Sequence, residues 1–359
     1  MIKTSIRVPH VFYTNELFVG KGSFMTVKNL EEKKFLIFVS KTVKSLENYQ
    51  KIEKYLEGKS YSEEIIEDCS EKTILLSRDK YKDSKFDVLF AIGGGKVIDA
   101  SKVIKFLIEN PNHDLETLKK EYYNYNKRIK LVAVPTTPST GSEANYIALI
   151  KNAQNKKVSF INRSFIPDMA ILDVNFLLSL SREKLIQMTA DIFGHSFESY
   201  FSLVSNTITK EYSKSCMNVL KDGVKGIKND ENDIKSFEKI MIAGYFGGMA
   251  IGNAFVGACH ALAHAAESKI DEVHNNLILN LIKPILTWHQ QKTQKVEYEQ
   301  FLKDYQELGY DSYVEPGIFN NLDTDWWANA AIKDSSVRTN PVRMKLDSML
   351  ELVNWIKTR

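Results

Sequence analysis

Three cysteines in 359 residues are too few for a disulfide framework, and Cys69, Cys216 and Cys259 form no C-x-x-C pair. Neither a stapled extracellular module nor a cysteine-rich structural zinc site is on offer. Neither sign of charge is in excess. The 48 Lys plus Arg against 45 Asp plus Glu leave a formal charge of +3, which gives no electrostatic footprint for a nucleic acid. No uninterrupted run of eighteen apolar residues occurs, so no membrane span is expected. The opening MIKTSIRVPH has charge without an apolar stretch behind it, so no secretory signal is read there, and a cytoplasmic location is expected. What is present is ordinary for a chain with a sizeable core: 43% hydrophobic and 26% charged residues, at a length suited to one large or two moderate domains.

Four solid apolar runs stand out in the first half: FLIFV (35–39), FDVLFAI (86–92), LVAV (131–134) and MAIL (169–172). Runs without alternation belong to strands buried on both faces, as in a parallel sheet. Between them, 43–56 and 97–107 carry apolar residues at helical spacing. From about residue 176 the texture is helical throughout, with a helix opening at the capping residue Ser181 and a long apolar one over 236–264. The expected architecture is an α/β dinucleotide-binding domain over 1–175 followed by an all-helical domain over 176–359.

Two loops carry binding chemistry. Gly93, Gly94 and Gly95 lie between a predicted strand and a predicted helix, where a bare backbone and free helix-start amides suit a pyrophosphate. The spacing is not G-x-G-x-x-G, so the loop alone is a weak sign. A second loop, PTTPSTGSE (135–143), also follows a strand and is read as preceding a helix. Two such loops at strand carboxyl ends point to one crevice. The tyrosines 122, 123 and 125, beside Lys127 and Arg128, read as a surface loop rather than as a base-stacking platform.

The histidines carry the rest. Asp191 and His195 are four apart, on one face of a helix, and His260 and His264 repeat the spacing, with His274 ten residues further on. One carboxylate with two or three imidazoles suits Fe²⁺ or Zn²⁺ better than Ca²⁺ or Mg²⁺. Spacing alone favours His264 as the partner of His260. His274 would lie about 21 Å from His260 along a continuous helix, and 269–273 (KIDEV) has no Gly or Pro to interrupt one.

In order, GGGKVIDASK, VPTTPSTGSE, PDMAILD, the D-x-x-x-H of TADIFGHSFESY, the histidines of GACHALAHAAESKIDEVH and the late Thr339-Asn340-Pro341 resemble the iron-containing alcohol dehydrogenase family. The resemblance implies a dehydroquinate-synthase-like fold, a homodimer, a small alcohol or aldehyde substrate, NAD or NADP, and one divalent ion. It implies that Asp191, His195, His260 and His274 hold the ion, with a helix break after Lys269, and that His264 is the catalytic group beside nicotinamide and substrate. It further implies that Gly94, Gly95, Lys96 and Asp99 hold the pyrophosphate region, with Thr136, Thr137 and Ser142 facing them from the second loop. The sequence departs from the family at Asn275, where Gly is usual, at Ala265, where Pro is common, and at Lys96, where Ser is usual. Ser40 stands where NAD-specific members often carry Asp, and an acidic group there would repel a 2′-phosphate, so NADP is favoured. GGMAIGNAFVGACHA also resembles the sugar-acid oxidase branch that acts on 3-deoxy-manno-octulosonate. A dehydroquinate-synthase-like cyclase and a binding module without turnover are the remaining alternatives.

Overall fold

The computed structural model describes residues 13, 14, 16–120 and 128–358. The opening MIKTSIRVPH segment and the tyrosines at 122, 123 and 125 thus lie outside the described residues.

Six strands form one sheet: β1 (Glu16–Val19), β2 (Lys34–Val39), β3 (Ser60–Ile65), β4 (Val88–Gly93), β5 (Lys130–Pro135) and β8 (Met169–Leu172). Their order is β1-β8-β5-β4-β2-β3, and every pairing is parallel. The solid apolar runs have a direct cause. Leu36, Phe38, Leu89, Ala91, Leu131 and Ala133 pack into one buried layer, while Phe35, Ile37, Val88, Phe90, Ile92, Val132 and Val134 pack into the layer on the opposite face. The edge strands β1 and β3 are mostly exposed; β1 (ELFV) is too short to stand out as an apolar run, and β3 (SYSEEI) is polar. Two further strands, β6 (Ile147–Lys151) and β7 (Lys157–Ile161), make a separate antiparallel hairpin. That hairpin corrects one expectation. The second loop runs into a short 3₁₀ turn at Ser142–Ala144 and then into β6, not into a helix.

A single helix over 43–56 is also not what forms. Three one-turn helices take its place: α1 (Lys41–Lys44), α2 (Glu47–Gln50) and α3 (Ile52–Tyr55). The Ser45 hydroxyl donates to the Thr42 carbonyl at 2.8 Å, and Leu46 is extended, so the ladder stops there. Val43, Tyr49, Ile52 and Leu56 still bury, which is why the apolar spacing looked helical. Next come α4 (Glu71–Tyr81), α5 (Gly95–Glu109) and α6 (Leu115–Leu118).

After β8 the chain is helical: α7 (Arg182–Phe201), α8 (Thr207–Asn229), α9 (Ile234–Ala254), α10 (Ala258–Ala266), α11 (His274–Thr293), α12 (Glu297–Leu308), α13 (Thr324–Ala331) and α14 (Leu346–Lys357). The Ser181 side chain caps α7 as expected, accepting from the Lys184 amide. The expected long helix over 236–264 is instead two helices, α9 and α10, bent by 103°. Among the described residues, no single helix is long and apolar enough to cross a membrane.

One contact ties the second loop to the helices. A Cβ added at Gly141, whose φ is +57°, would lie 2.4 Å from the Gly248 Cα, so loop and α9 touch backbone to backbone. The preceding residue of α9, Gly247, faces the His195 Cβ, which a Cβ of its own would approach to 3.4 Å.

Candidate metal and cofactor site

Asp191 and His195 stand on one face of α7, and both are buried in the helical core. The bend between α9 and α10 brings His260 onto that face, where its Nε2 lies 3.2 Å from the Asp191 Oδ1. His195 Nε2 lies 3.4 Å from the same oxygen, and the His195 and His260 rings stack with centroids 4.9 Å apart. One donor atom each from Asp191, His195 and His260 falls within 4.8 Å of the others.

The fourth residue is His274, whose Nε2 is 3.6 Å from the Asp191 Oδ1. Helix α10 ends at Ala266, the amides of Lys269 and Ile270 both return to the Ala266 carbonyl, and extended Val273 precedes His274 at the head of α11. Backbone bonds close the turn, helped by the Ser268 hydroxyl on the Ala265 carbonyl and the Val273 amide on the Glu272 carboxylate, which is how the chain breaks without Gly or Pro. The preference from spacing for His264 is therefore overturned. His264 turns aside, and its Nδ1 pairs with the Asp334 Oδ2 at 2.9 Å.

Two carboxylates that sequence reasoning missed orient these rings. Glu198 Oε2 takes the His260 Nδ1 at 2.5 Å while Glu198 Oε1 accepts the Cys259 amide at 2.7 Å. Glu267 takes the His274 Nδ1. Each contact engages Nδ1 and turns the Nε2 edge of the ring toward Asp191. Glu198 was within reach of pattern reading, since it lies seven residues after Asp191 on the same helix face.

The electrostatics follow from crowding. Burial alone would raise the Asp191 carboxyl, but His195, His260 and His274 hold it well below the usual range. Burial pushes His195 and His274 down to about 4, whereas for His260 the Glu198 and Asp191 carboxylates outweigh burial and raise it to about 9. One buried anionic oxygen surrounded by three imidazole Nε2 atoms fits the nitrogen and oxygen preferences of a borderline divalent ion, whose binding would displace the proton that the carboxylates favour on His260.

The two loops expected to bind a cofactor meet at the carboxyl edge of the sheet. β4 ends at Gly93, α5 starts at Gly95, and its first amides have no carbonyl within the helix to pair with. A Cβ at Gly94 would come within 3.1 Å of the Thr137 Oγ1, and one at Gly95 within 2.5 Å of the Thr140 Oγ1. The Thr136 amide donates to the Gly93 carbonyl at 3.1 Å, and the Ser40 amide to that of Ile92 at 3.3 Å. Ser40, Gly94, Gly95, Lys96, Thr136 and Thr137 are thus neighbours, with Lys96 exposed. The Ser40 hydroxyl accepts from the Val43 amide as the cap of α1.

Asp99 and Ser142 do not join them, which corrects their expected role. Asp99 accepts from the Ser142 hydroxyl and from the Leu149 amide. Lys102, wholly buried, donates to the Ser142 Oγ and the Ile147 carbonyl, each at 2.7 Å, and burial lowers its ammonium to about 8. These side chains bind the second loop and the hairpin to α5 from behind.

The family model described as iron-containing alcohol dehydrogenase matches residues 14–174, and the model of that family's C-terminal region matches residues 185–303. The "Probable alcohol dehydrogenase EutG" of Escherichia coli K12 is 25% identical over 293 residues, 76% of this chain and 73% of that protein. Aldehyde-alcohol dehydrogenase 2 of Entamoeba histolytica is 28% identical over 221 residues, covering 58% of this chain, which spans 25% of that longer protein. Among solved structures, a 1,3-propanediol oxidoreductase superposes with a TM-score of 0.88 at 18% identity, covering 98% of this chain and 100% of that one. The iron-containing alcohol dehydrogenase of Thermococcus thioreducens gives 0.87 at 19% identity, over 97% and 100%.

Proposed function

The chain belongs to the iron-containing alcohol dehydrogenase family, and from that membership and the site just described we propose that it interconverts a small alcohol and its aldehyde by hydride transfer, using a divalent metal and NAD(P). The observation that carries the reading is the convergence of His195, His260 and His274 on the buried Asp191 oxygen, at 3.4, 3.2 and 3.6 Å. Asp191, His195, His260 and His274 would hold the ion, Fe²⁺ or Zn²⁺. When bound, the ion supplies Lewis acidity toward a substrate oxygen and the nicotinamide supplies the ring that exchanges hydride.

The protein's own contribution is placement and proton handling. Glu198 and Glu267 hold the Nδ1 edges of two imidazoles and so present their Nε2 edges toward Asp191. Asp334 holds the Nδ1 edge of His264, and the His264 Nε2, buried and without a hydrogen-bond partner among the described residues, is the atom that would take or give the substrate proton. Gly94, Gly95 and Lys96 would meet the cofactor phosphates at the head of α5, with Thr136 and Thr137 across from them. The absence of an acidic group at Ser40 supports NADP over NAD. A cytoplasmic homodimer completes the reading; the edge strand β1, with Leu17 and Val19 each 41% exposed, is compatible with a partner chain.

The test is elemental analysis of the purified protein followed by oxidation of NADPH and NADH with a panel of aldehydes. Asp191→Ala is expected to lose metal and turnover together. Undiminished turnover by metal-free Asp191→Ala protein would overturn the proposal.

A further inference from the structure

The bend that delivers His260 is an uncomfortable piece of backbone. Phe255 has φ 61° and ψ −179°, a region that only glycine enters readily, and it persists only when its surroundings over-determine it. Gly257 follows, where a Cβ would lie 2.8 Å from the Asn340 Oδ1 and 3.0 Å from the Glu198 Oε1. The chain turns through 103° there, and the groups that hold the turn come from elsewhere in the chain.

Those groups lie about eighty residues further along. The Thr339 hydroxyl donates to the Val256 carbonyl at 2.7 Å, and the Ala258 amide, at the head of α10, donates to the Asn340 Oδ1 at 3.1 Å. The other face of the Asn340 amide is also engaged, its Nδ2 donating to the Val342 carbonyl at 2.8 Å and facing the His289 Nε2 on α11 at 3.2 Å. Every polar atom of that side chain has a partner, and Asn340 is 1% exposed. The Leu203 amide, just past α7, donates to the Thr339 carbonyl at 2.9 Å. Thr339 and Asn340 therefore touch the end of α7, the bend and α11, the same elements that carry Asp191, His260 and His274.

We propose that Thr339 and Asn340 are positioning residues for the metal: they clasp the bend between α9 and α10 and so set His260 against Asp191. The inference rests on reading Asp191, His195, His260 and His274 as the metal site. Neither residue touches an ion; both act through the backbone of 256–258.

The experiment compares the parent chain with Asn340→Ala, Thr339→Val and Thr339→Ser, using Co²⁺ as the probe by its visible spectrum against a competing chelator. Amide hydrogen exchange over 255–261 in the metal-free proteins is the second readout. Asn340→Ala should bind Co²⁺ about 10–100-fold more weakly with a changed spectrum, and its exchange over 255–261 should quicken while α12 and α14 stay protected. Thr339→Val should move the same way by less, and Thr339→Ser, which keeps the hydroxyl, should match the parent. Co²⁺ affinity within about threefold of the parent in both Asn340→Ala and Thr339→Val, or unaltered exchange over 255–261, overturns the clasp. Should Asn340→Ala not fold, Thr339→Val decides alone. If the parent takes up no Co²⁺ that depends on Asp191, the metal reading fails, and the exchange rates by themselves decide the clasp.

Discussion

Lys157 on the β7 strand pairs with Glu267 at 2.8 Å, and Glu267 in turn holds the Nδ1 of His274. A side chain from the hairpin beside the sheet thus steadies an imidazole at the head of α11. Glu267 itself is held well below the usual carboxylate range, since His274 and Lys157 outweigh its burial. Glu267→Gln should weaken divalent-metal affinity by about tenfold, and Lys157→Met by less, because the carboxylate keeps its contact with the ring. Chelator competition with Co²⁺ measures both. Equal affinities in Glu267→Gln and parent would remove Glu267 from the site.

Ser40 offers a separate test of cofactor choice. Asp is as good a helix cap as Ser, so Ser40→Asp keeps α1 intact while adding a charge at the carboxyl end of β2. The expected outcome is NADPH binding weakened by about tenfold or more with NADH binding unchanged or improved, read by cofactor fluorescence. Unchanged NADPH affinity would mean that the 2′-phosphate lies elsewhere.

Gly248 makes the tightest backbone-to-backbone packing point among the described glycines. A Cβ there would sit 2.2 Å from the Gly141 carbonyl oxygen, and both partners are backbone. Gly248→Ala should destabilise the fold by about 1–3 kcal/mol or more, measurable as a lowered urea midpoint. A midpoint equal to the parent's would show that loop and α9 can separate without penalty.

Acid sensitivity has one readily isolated source away from the metal residues. Burial pushes the His289 imidazole from 6.5 down to about 4. As pH falls from about 6.5 toward about 4, the unfolded chain takes up a proton that the folded chain refuses, so this contribution is complete above about 6.5 and is lost on acidification. Between pH 7 and pH 5 the parent should lose about 2 kcal/mol more than His289→Gln, by denaturant titration at each pH. Parallel losses would show that His289 protonates as readily in the folded protein.

How much of this was legible in the sequence differs residue by residue. β2, β4, β5 and β8 announced themselves because both their faces are covered. β3, with the sequence SYSEEI, did not, because an edge strand bears polar residues that carry no periodic signal. Asp191 and His195 could be paired from helical spacing because α7 is unbroken. His274 could not, since the break before it is made mainly by backbone hydrogen bonds rather than by a Gly or Pro, and the family resemblance rather than spacing pointed to it. Asp99 and Ser142 misled because a polar residue beside a glycine loop looks the same whether it faces the crevice or a buried lysine.

The pair Gly247 and Gly248 leaves α9 bare of side chains where the second loop lies on one flank and His195 on the other. The partition between the second loop and the imidazole is there only one main chain thick. Soft side chains would absorb a small push by changing rotamer; with none at 247 or 248, the spacing of loop, helix and His195 is set by main-chain contact.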